Sequence, residues 1–304
     1  MLIRAFVPAH ITAFFVPVFN ENPLLAGSIG AGVNLEKGTN IFVTTENGSE
    51  RHIHIAFNGE PVERNNAIIS YSVAEKMVPK DFSGEIEVWQ YFDFPNGYGF
   101  GNSAAGALGT ALALAFNFKE RTFLQASQVA HKYEVVYKGG LGDVIAQFYG
   151  GIELRIKPGA PGIGVVDNIF FEGYKVLTIP LGRLSTKEVL DSDVIKLIEE
   201  EGKRSLEEVL KRPRVEVLMK AARTFSERTG LLTGELLEIA IELDKDLRLP
   251  SSMIMLGKSL FALLREDEIE KIKATLADLT IEKYHICDVY TQRPSVERGM
   301  GGSL

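Results

Sequence analysis

Residues 95–116, PNGYGFGNSAAGALGTALALAF, change character at Asn102. The segment before Asn102 contains too much glycine for a regular helix or strand. From Asn102 onward the residues are small and apolar on all sides, which predicts a helix buried on most of its faces. The preceding residues 85–94, EIEVWQYFDF, favour a strand. A strand, a glycine-rich loop and a buried helix therefore follow one another, and this order decides the fold around them.

The glycine-rich loop, residues 95–101, suits a phosphate group. Glycines let the backbone approach an anion closely, and the first turn of a helix offers unpaired N–H groups with a partial positive charge. Ser103 would stand in that first turn, where its hydroxyl can reach a hard cation such as Mg²⁺. The sequence therefore predicts a phosphate site with a metal ion beside it.

The same loop also matches Gly-x-Gly-x-x-Ala, the fingerprint of dinucleotide-binding folds. That fold needs a strand after the helix, with an acidic residue at the end of the strand. Glu120 has the required spacing, but the residues beyond it, 122–138, have the pattern of a second helix. This context disfavours a dinucleotide site and the dehydrogenase function that it would imply.

A second glycine motif, Gly257-Lys258-Ser259, resembles the end of a P-loop. Ser252 stands where the first glycine of that motif belongs. The residues between them, 253–256, form an apolar run that reads as a strand rather than as a phosphate-wrapping loop. A P-loop is therefore disfavoured.

The composition of the chain limits the kinds of molecule that it is expected to bind. The 304 residues carry a formal net charge of -7, which argues against a nucleic-acid surface. The single cysteine, Cys287, excludes an intramolecular disulfide and a cysteine-based zinc site, and it fits a reducing cytoplasm. Pro8 and Pro17 interrupt the apolar start of the chain, and no apolar run is long enough to span a bilayer. We expect a cytoplasmic protein with a small-molecule substrate and neither a nucleic-acid nor a membrane partner.

The first half of the chain reads as short strands separated by glycine-rich turns. Two of these strands are expected at 27–35, GSIGAGVNL, and at 40–45, NIFVTT. A helix is expected at 61–77, with Pro61 in its first turn.

The stretch PGAPGIG, residues 158–164, is the densest in proline and glycine and predicts a domain boundary. The two domains would then cover 1–164 and 165–304. The second domain is expected to run from a strand through several helices to a hairpin at 251–266, then a helix and a last strand. That order predicts an α+β domain of ferredoxin-like type.

The loop and three other segments resemble a known family. Pro95-x-x-x-Gly99-x-Gly101-x-Ser103-Ala104-Ala105 is similar to the Pro-x-x-x-Gly-Leu-Gly-Ser-Ser-Ala-Ala loop of the GHMP kinases, with Asn102 in place of the first serine. The segments VPAHITAFF (7–15), NPLLAGSIGAGVNLEKG (22–38) and AHKYEVVYKGGLGDVIAQFYGGIELR (130–155) look like the archaeal pantoate kinase branch of that superfamily. The resemblance is good up to about residue 190, and the third, glycine-rich motif of the family is reduced to residues 255–258.

The resemblance implies a two-domain α+β fold, with a mixed β-sheet and helices in the N-terminal domain and a ferredoxin-like C-terminal domain. It also implies that ATP, with Mg²⁺, is the phosphoryl donor. The residues assigned to ATP are Pro95, Gly97, Gly99, Gly101, Asn102, Ser103 and Ala104.

Three residues carry the chemistry that the resemblance implies. Ser103 and Glu134 would bind the metal ion, although Glu134 also has the spacing of a solvated pair with Lys138. Asp143 follows a glycine cluster that presents its carboxylate at the start of a helix, where an ordinary N-cap is the other interpretation. The family places a general base at the position of Asp143, so Asp143, Ser103 and Glu134 are the predicted catalytic residues.

Four residues are assigned to the acceptor by the resemblance: Ser28, His131, Arg155 and Thr186. Each has a plainer interpretation. Ser28 could be a turn residue, His131 a structural histidine, and Arg155 an outward-facing charge rather than a buried fork for an anion. Thr186 follows Ser185, which forms a capping box with Glu188 that already accounts for the local pattern. A further pair, His52 and His54, is interpreted as surface or packing residues, because no third metal ligand is evident.

The resemblance implies transfer of the γ-phosphoryl group of ATP to the primary hydroxyl of pantoate, in coenzyme A biosynthesis, by a chain that could act as a homodimer. A GHMP kinase for another small alcohol, such as mevalonate or homoserine, is the nearest alternative, because these enzymes share the phosphate loop. Ser28, His131 and Arg155 are the residues expected to separate them. A catalytically silent binding protein is disfavoured, because Ser103, Glu134 and Asp143 are all present.

Overall fold

The computed structural model describes residues 1–184 and 194–299. Thr186, one of the predicted acceptor contacts, lies outside the described residues, as does the capping box beside it.

The first sheet is built around a long antiparallel pair, β1 (Ile3–Val18) and β2 (Gly27–Asn47). The prediction of separate short strands at 27–35 and 40–45 was wrong, because β2 runs through both segments. The register of the pair shifts between Pro8 and Ala9. A bulge of this kind lets a ladder accept a proline and bend without ending.

The first sheet has eight strands, and six of them lie in the order β12-β1-β2-β5-β3-β4, with β6 on β2 and β7 on β6. Strands β3 and β5 are parallel and the other pairs are antiparallel, so the predicted mixed sheet is confirmed. The remaining strands of this sheet are β3 (Arg51–Phe57), β4 (Glu60–Pro61), β5 (Gly84–Phe92), β6 (Ile152–Lys157), β7 (Val165–Asn168) and β12 (Ser295–Arg298).

The next helices along the chain are α1 (Ile68–Met77), α2 (Asn102–Phe118), α3 (Phe123–Val136) and α4 (Asp143–Tyr149). Helices α1, α2 and α4 pack on the first sheet, and α3 packs on these three helices. Helix α2 begins at Asn102, as predicted, and its small residues let it sit deep, with Gly109 against the side chain of Ile41. The next element after α2 is helix α3, so the strand that a dinucleotide-binding fold requires is not there. Pro61 was wrongly predicted to start a helix, since it lies in strand β4 and α1 begins only at Ile68.

The second sheet has four antiparallel strands in the order β11-β8-β10-β9. They are β8 (Lys175–Gly182), β9 (Ser252–Met253), β10 (Lys258–Leu264) and β11 (His285–Cys287). Among the described residues, three helices lie between β8 and β9, namely α5 (Ile195–Lys211), α6 (Val215–Arg228) and α7 (Gly234–Asp244), and α8 (Ile269–Asp278) connects β10 to β11. This βαββαβ order confirms the predicted ferredoxin-like arrangement.

The predicted strand at residues 253–256 was wrong beyond its first residue. Strand β9 ends at Met253, and the chain then turns sharply, with Leu256 at a φ of 64°. The amide of Met255 donates to the carbonyl oxygen of Thr12 at 3.0 Å, which fixes this turn on strand β1. The turn 254–257 thereby brings the second half of the chain against the glycine-rich loop.

The two halves share apolar packing. The rings of Phe14 and Phe15 lie 6.3 and 6.2 Å from that of Phe225 on α6, and one buried cluster contains residues of both sheets. Strands β7 and β12 belong to the first sheet although they follow residue 164. The division into domains 1–164 and 165–304 stays a prediction. Among the described helices, none combines the length and the apolar character needed to cross a membrane.

Candidate active site

A cavity of about 300 Å³ opens where the glycine-rich loop meets the turn 254–257. We call it the main cavity. Its wall includes Ser103, Glu134 and Asp143, the three predicted catalytic residues. Six of the seven predicted ATP-binding residues line it, and these are Gly97, Gly99, Gly101, Asn102, Ser103 and Ala104. Pro95 is not part of the lining.

Three carbonyl oxygens of the glycine-rich loop accept hydrogen bonds from residues outside the loop. The side-chain amide of Gln147 donates to the oxygen of Gly101 at 3.0 Å, and the backbone N–H of His10 donates to that of Phe100 at 3.1 Å. The Ser259 hydroxyl donates to the oxygen of Tyr98 at 2.8 Å. With its carbonyls satisfied in this way, the loop can use its amide groups for an anion.

Asn102 stands where the family motif has its first serine, and its side chain has a structural role. Its side-chain amide nitrogen donates to the carbonyl oxygen of Phe94 at 2.8 Å and to the side chain of Asn96 at 2.6 Å. These bonds tie the first turn of α2 to the start of the loop. Gly101, with a φ of 67°, precedes the helix and offers no side chain to its N-terminal amides. The N–H groups of that turn therefore remain for a ligand in the main cavity.

We expect Gly99→Ala to weaken ATP binding by about tenfold, which corresponds to ~1.4 kcal/mol. Gly99 has a φ of 91°, and a methyl group there would lie 2.9 Å from the side chain of Ile254 and 3.0 Å from the oxygen of Met255. The added atom would push the loop and the turn 254–257 apart. Isothermal titration with ATP and Mg²⁺ measures the effect.

Gly59→Ala is the matched control for this prediction. Gly59 has a similar φ of 90°, but an added methyl group meets nothing within 4 Å. The backbone strain is therefore present in both variants, at about 1 to 2 kcal/mol, and only Gly99→Ala disturbs the cavity. Equal ATP affinities in the two variants would show that the contact between loop and turn has no part in binding.

Ser103 and Glu134 form the first functional pair. The hydroxyl of Ser103 donates to Oε1 of Glu134 at 2.5 Å, whereas Oε2 of Glu134 is buried and has no hydrogen-bond partner in the part of the chain that the structure describes. Burial raises the pKa of the Glu134 carboxyl to about 8, the Ser103 hydrogen bond lowers it, and the charge of Asp143 raises it. The alternative of a solvated pair with Lys138 is wrong, because Glu134 is only 2% exposed.

The oxygen donors at this pair fit a magnesium ion. A methyl group on Gly140 would lie 2.7 Å from Oδ2 of Asp143 and 3.2 Å from Oε2 of Glu134, so both oxygens border the same small space. Within residues 1–184 and 194–299, no group of three or more His, Cys, Asp or Glu side chains could hold a metal by itself. Mg²⁺ suits such a site, because it is commonly bound by one or two protein oxygens together with phosphates and waters.

Asp143 is the first residue of α4 and follows Gly142, which holds the capping position, so the N-cap interpretation of Asp143 is wrong. Its carboxylate is one-fifth exposed and contacts the ring nitrogen Nδ1 of His10 through Oδ1, at 2.7 Å. No hydrogen bond from a described residue reaches Oδ2. Asp143 therefore presents one free carboxylate oxygen at the wall of the main cavity.

His10 and Glu153 are residues of the site that the sequence analysis missed. The ring nitrogen Nε2 of His10 lies 2.9 Å from Oε1 of Glu153, and the same oxygen accepts a hydrogen bond from Arg155. Burial alone would lower the pKa of His10, but its hydrogen bonds to Asp143 and Glu153 outweigh that effect and raise it. The only sequence signal was a histidine within the apolar run VPAHITAFF.

A small recess of about 20 Å³ continues from the main cavity past Asp143. It shares Thr12, Asp143 and Leu256 with the main cavity and also includes Ser28. Arg155 lies behind it: a methyl group on Gly142 would lie 2.9 Å from Nε of Arg155 and closer still to Oγ of Ser28. The recess therefore brings two of the predicted acceptor residues close to Asp143.

Arg155 is buried at 1% exposure, which excludes the outward-facing interpretation. Its Nη1 donates to Glu153, but Nε and Nη2 have no hydrogen-bond partner among the described residues. His131 lies elsewhere, because Nε2 of its ring is 3.0 Å from the carbonyl oxygen of Ala26 and it lines neither the cavity nor the recess. Burial lowers the pKa of His131. This histidine supports the segment that leads to Ser28, and its contact with the acceptor stays a prediction.

The comparisons with known proteins agree with this geometry. The family model described as "GHMP kinases N terminal domain" matches residues 68–151. A pantoate kinase of Thermococcus kodakarensis is 68% identical over 302 residues, covering 99% of this chain and 100% of that protein. The chain belongs to the pantoate kinase family.

Solved structures place this pantoate kinase family member among proteins of one fold. The structure of a "Phosphotransferase related to CoA biosynthesis pathway" has a TM-score of 0.95 and 67% identity, covering 99% of this chain and 100% of that one. The structure "MDDEF in complex with MVAPP, AMPPCP and Magnesium" has a TM-score of 0.74 at 14% identity, covering 98% and 99%, and shows likeness of fold alone. The predicted family, fold and enzyme class, an ATP-dependent phosphotransferase, are confirmed.

Proposed function

We propose that this enzyme transfers the γ-phosphoryl group of ATP, with Mg²⁺, to the primary hydroxyl of pantoate, giving 4-phosphopantoate for coenzyme A biosynthesis. The observation that carries the proposal is the position of Asp143. Its free oxygen lies where the main cavity, with Ser103 and Glu134, meets the recess beside Arg155. Such a carboxylate can face a donor phosphate on one side and an acceptor hydroxyl on the other. The cytoplasm, where ATP is available, is the proposed location.

The donor end of the site is assigned from the glycine-rich loop. The triphosphate would lie against the amides of residues 99–103 at the start of α2, where the helix dipole favours negative charge. Ser103 and the unpartnered oxygen of Glu134 would hold the metal ion, which supplies charge neutralisation on the phosphate oxygens. The nucleoside would occupy the far end of the main cavity, whose wall includes Phe57, Asn66 and Ile69.

The acceptor end is assigned from charge. A carboxylate of the acceptor would accept hydrogen bonds from Nε and Nη2 of Arg155. Without it, these two buried donors have no partner among the described residues. Ser28 lies beside them and would donate to the same carboxylate. Pantoate carries a carboxylate at one end and a primary hydroxyl at the other, so the hydroxyl would point from Arg155 toward Asp143.

The reaction then follows from what each side chain can do. The acceptor oxygen forms a bond to the γ-phosphorus while the bond between that phosphorus and the β–γ bridging oxygen breaks, and ADP leaves. Oδ2 of Asp143 accepts the proton of the acceptor hydroxyl as this bond forms. Gly101 and Ser103 hold the transferred group in line, and most of the acceleration comes from this positioning and from charge neutralisation.

The fold alone does not choose the acceptor, since enzymes that act on other small alcohols share it. We expect kcat/KM for pantoate to exceed that for mevalonate or homoserine by about 10²-fold or more, because a site built for one pattern of polar groups rejects others. ADP release, measured for each acceptor at one ATP concentration, checks this. Equal turnover of the three acceptors would contradict the pantoate assignment but leave the kinase class intact.

A further inference from the structure

Four charged side chains form a continuous chain beneath the active site. Asp143 contacts His10 at 2.7 Å, His10 contacts Glu153 at 2.9 Å, and Glu153 accepts from Arg155. We call these four residues the buried quartet. His10 and Glu153 are fully enclosed, Arg155 is 1% exposed, and only Asp143 reaches the cavity. The roles proposed so far use the two ends of the quartet and leave its middle unexplained.

The surroundings of His10 favour its charged form. Each of its two ring nitrogens faces a carboxylate oxygen, and a neutral imidazole has only one N–H to donate. The imidazolium ion donates at both nitrogens and so satisfies both carboxylates at once, although Nε2 also lies 3.5 Å from Nη1 of Arg155. The charges then alternate along the quartet: Asp143 and Glu153 are negative, and His10 and Arg155 are positive. Such a set leaves no net charge to be buried.

His10 is also fixed relative to the phosphate loop. It lies on β1, and its backbone N–H donates to the oxygen of Phe100 at 3.1 Å, inside the glycine-rich loop. Gly32 on the paired strand β2 makes room for the contact with Glu153, because an added methyl group would collide with Nε2 of His10 and lie 2.7 Å from Oε1 of Glu153. His10 thus contacts the glycine-rich loop through its backbone and Asp143 through its ring.

We propose that His10, held by Glu153, is a positioning residue: it binds Oδ1 of Asp143 so that Oδ2 points at the acceptor hydroxyl. The inference rests on the proposed function, since it concerns the orientation of the carboxylate of Asp143, the proposed general base. Without His10, the carboxylate of Asp143 could rotate about its side-chain bonds, and its free oxygen would no longer be fixed relative to the loop that carries the phosphate. A misplacement of about 1 Å can cost roughly 10²-fold in rate.

Two replacements of His10 separate positioning from packing. The amide nitrogen of asparagine can take the place of Nδ1 and still donate to Asp143, whereas the amide nitrogen of glutamine reaches the place of Nε2 and donates to Glu153. We expect His10→Gln to lower kcat by about 10²-fold and His10→Asn by about tenfold or less, with the Kd for ATP within about threefold in both. A purely structural role predicts the reverse order, because glutamine fills the buried space better.

A double-variant cycle with Asp143→Asn tests whether His10 acts through Asp143. Residues that work as a unit show strongly non-additive losses. We therefore expect His10→Gln combined with Asp143→Asn to be no slower than Asp143→Asn alone, within about threefold. A product of the two single losses would overturn the proposal, since His10 would then affect the rate independently of Asp143.

His54→Gln is the matched control. His54 makes a similar contact with a carboxylate, 3.0 Å from Glu85, but its side chain is exposed and does not line the main cavity. Its kcat is expected to equal that of the unchanged enzyme. If the His10 variants do not fold, the same question is answered in the unchanged protein by magnetic resonance of its five histidine rings. We expect protons on both ring nitrogens of His10 at pH 7.5, and a single proton there would overturn the proposal.

Different results would contradict the proposed function and the positioning role of His10. If the unchanged enzyme does not phosphorylate pantoate, the proposed function is wrong, whatever the variants do. If the unchanged enzyme does phosphorylate pantoate, but His10→Gln retains its kcat, the proposed function stands and the positioning role is wrong.

Discussion

Replacing Asp143 by asparagine is expected to lower kcat by about 10²- to 10⁴-fold, the usual contribution of a general base. The replacement keeps the size of the side chain, and its amide oxygen can still accept from His10. The amide nitrogen would then occupy the place of Oδ2, where it cannot take a proton from the acceptor. In the proposed site, ATP is bound by the loop and by Ser103 and Glu134, so the Kd for ATP is expected to stay within about threefold.

Single-turnover kinetics and titration with ATP measure these two quantities separately. Asp167→Asn provides the control, because Asp167 is an exposed residue of β7 whose carboxylate accepts, within residues 1–184 and 194–299, only from the adjacent backbone N–H of Asn168. Unchanged turnover by Asp143→Asn would remove Asp143 from the mechanism. A large loss of ATP affinity in that variant would instead place Asp143 among the nucleotide ligands.

Replacing Glu134 by glutamine is expected to have opposite effects on catalysis and on stability. Loss of the carboxylate removes a proposed metal ligand, and metal-assisted charge stabilisation is worth several kcal/mol, so kcat/KM should fall by about 10²-fold or more. The ligand-free protein should nevertheless become more stable at high pH. The reason is that a buried carboxylate with an unpartnered oxygen is costly when it is ionised.

The sign of this pH dependence follows from the pKa of Glu134, which burial raises from 4.5 to about 8. Between these two values the folded protein holds a proton that the unfolded chain has lost, so the ionisable Glu134 lowers stability as pH rises. The gain from Glu134→Gln should therefore be small at pH 5, grow through this window and be complete above pH 8. Urea unfolding without metal or nucleotide, at pH 5 and pH 9, measures it.

Glu268→Gln serves as the contrasting variant. Glu268 is also buried, but its carboxylate accepts the backbone N–H groups of Arg248 at 2.6 Å and of Arg265 at 2.7 Å. Its ionised form is thus stabilised by donors, and the replacement is expected to lower stability at pH 9. Destabilisation by Glu134→Gln at pH 9 would show that Glu134 contributes to the fold in the same way as Glu268.

The parts of the site that could be predicted from sequence are those encoded by neighbouring residues. The change of composition at Asn102 located the start of α2, and the glycines before Asp143 located the start of α4. Glycine conformation and helix polarity are local properties, so their pattern can be read along the chain. The ferredoxin-like domain was also predictable, because its order of strands and helices shows in the hydrophobic pattern.

The parts that sequence did not predict depend on residues far apart in the chain. His10 meets Asp143 across 133 positions and Glu153 across 143, and no local pattern pairs them. The continuity of β2 through Gly38 was missed because glycine normally interrupts a strand. Gly38 is needed there, since a side chain would collide with the backbone of β1 at Val7. Pro61 was misassigned because proline is acceptable both in a first helical turn and in an edge strand.

The enclosed guanidinium of Arg155 has a consequence for the molecules that this enzyme tolerates. Because the proposed partner of Nε and Nη2 is the carboxylate of the acceptor, an uncharged analogue, such as the lactone of the same acid, would leave both donors without that partner. Each buried donor left in that state costs about 1 to 3 kcal/mol, and more when it is charged. An extra methylene group in the recess would be penalised far less. The enzyme should therefore be strict about the ionic form of its acceptor and lenient about small differences in its carbon skeleton.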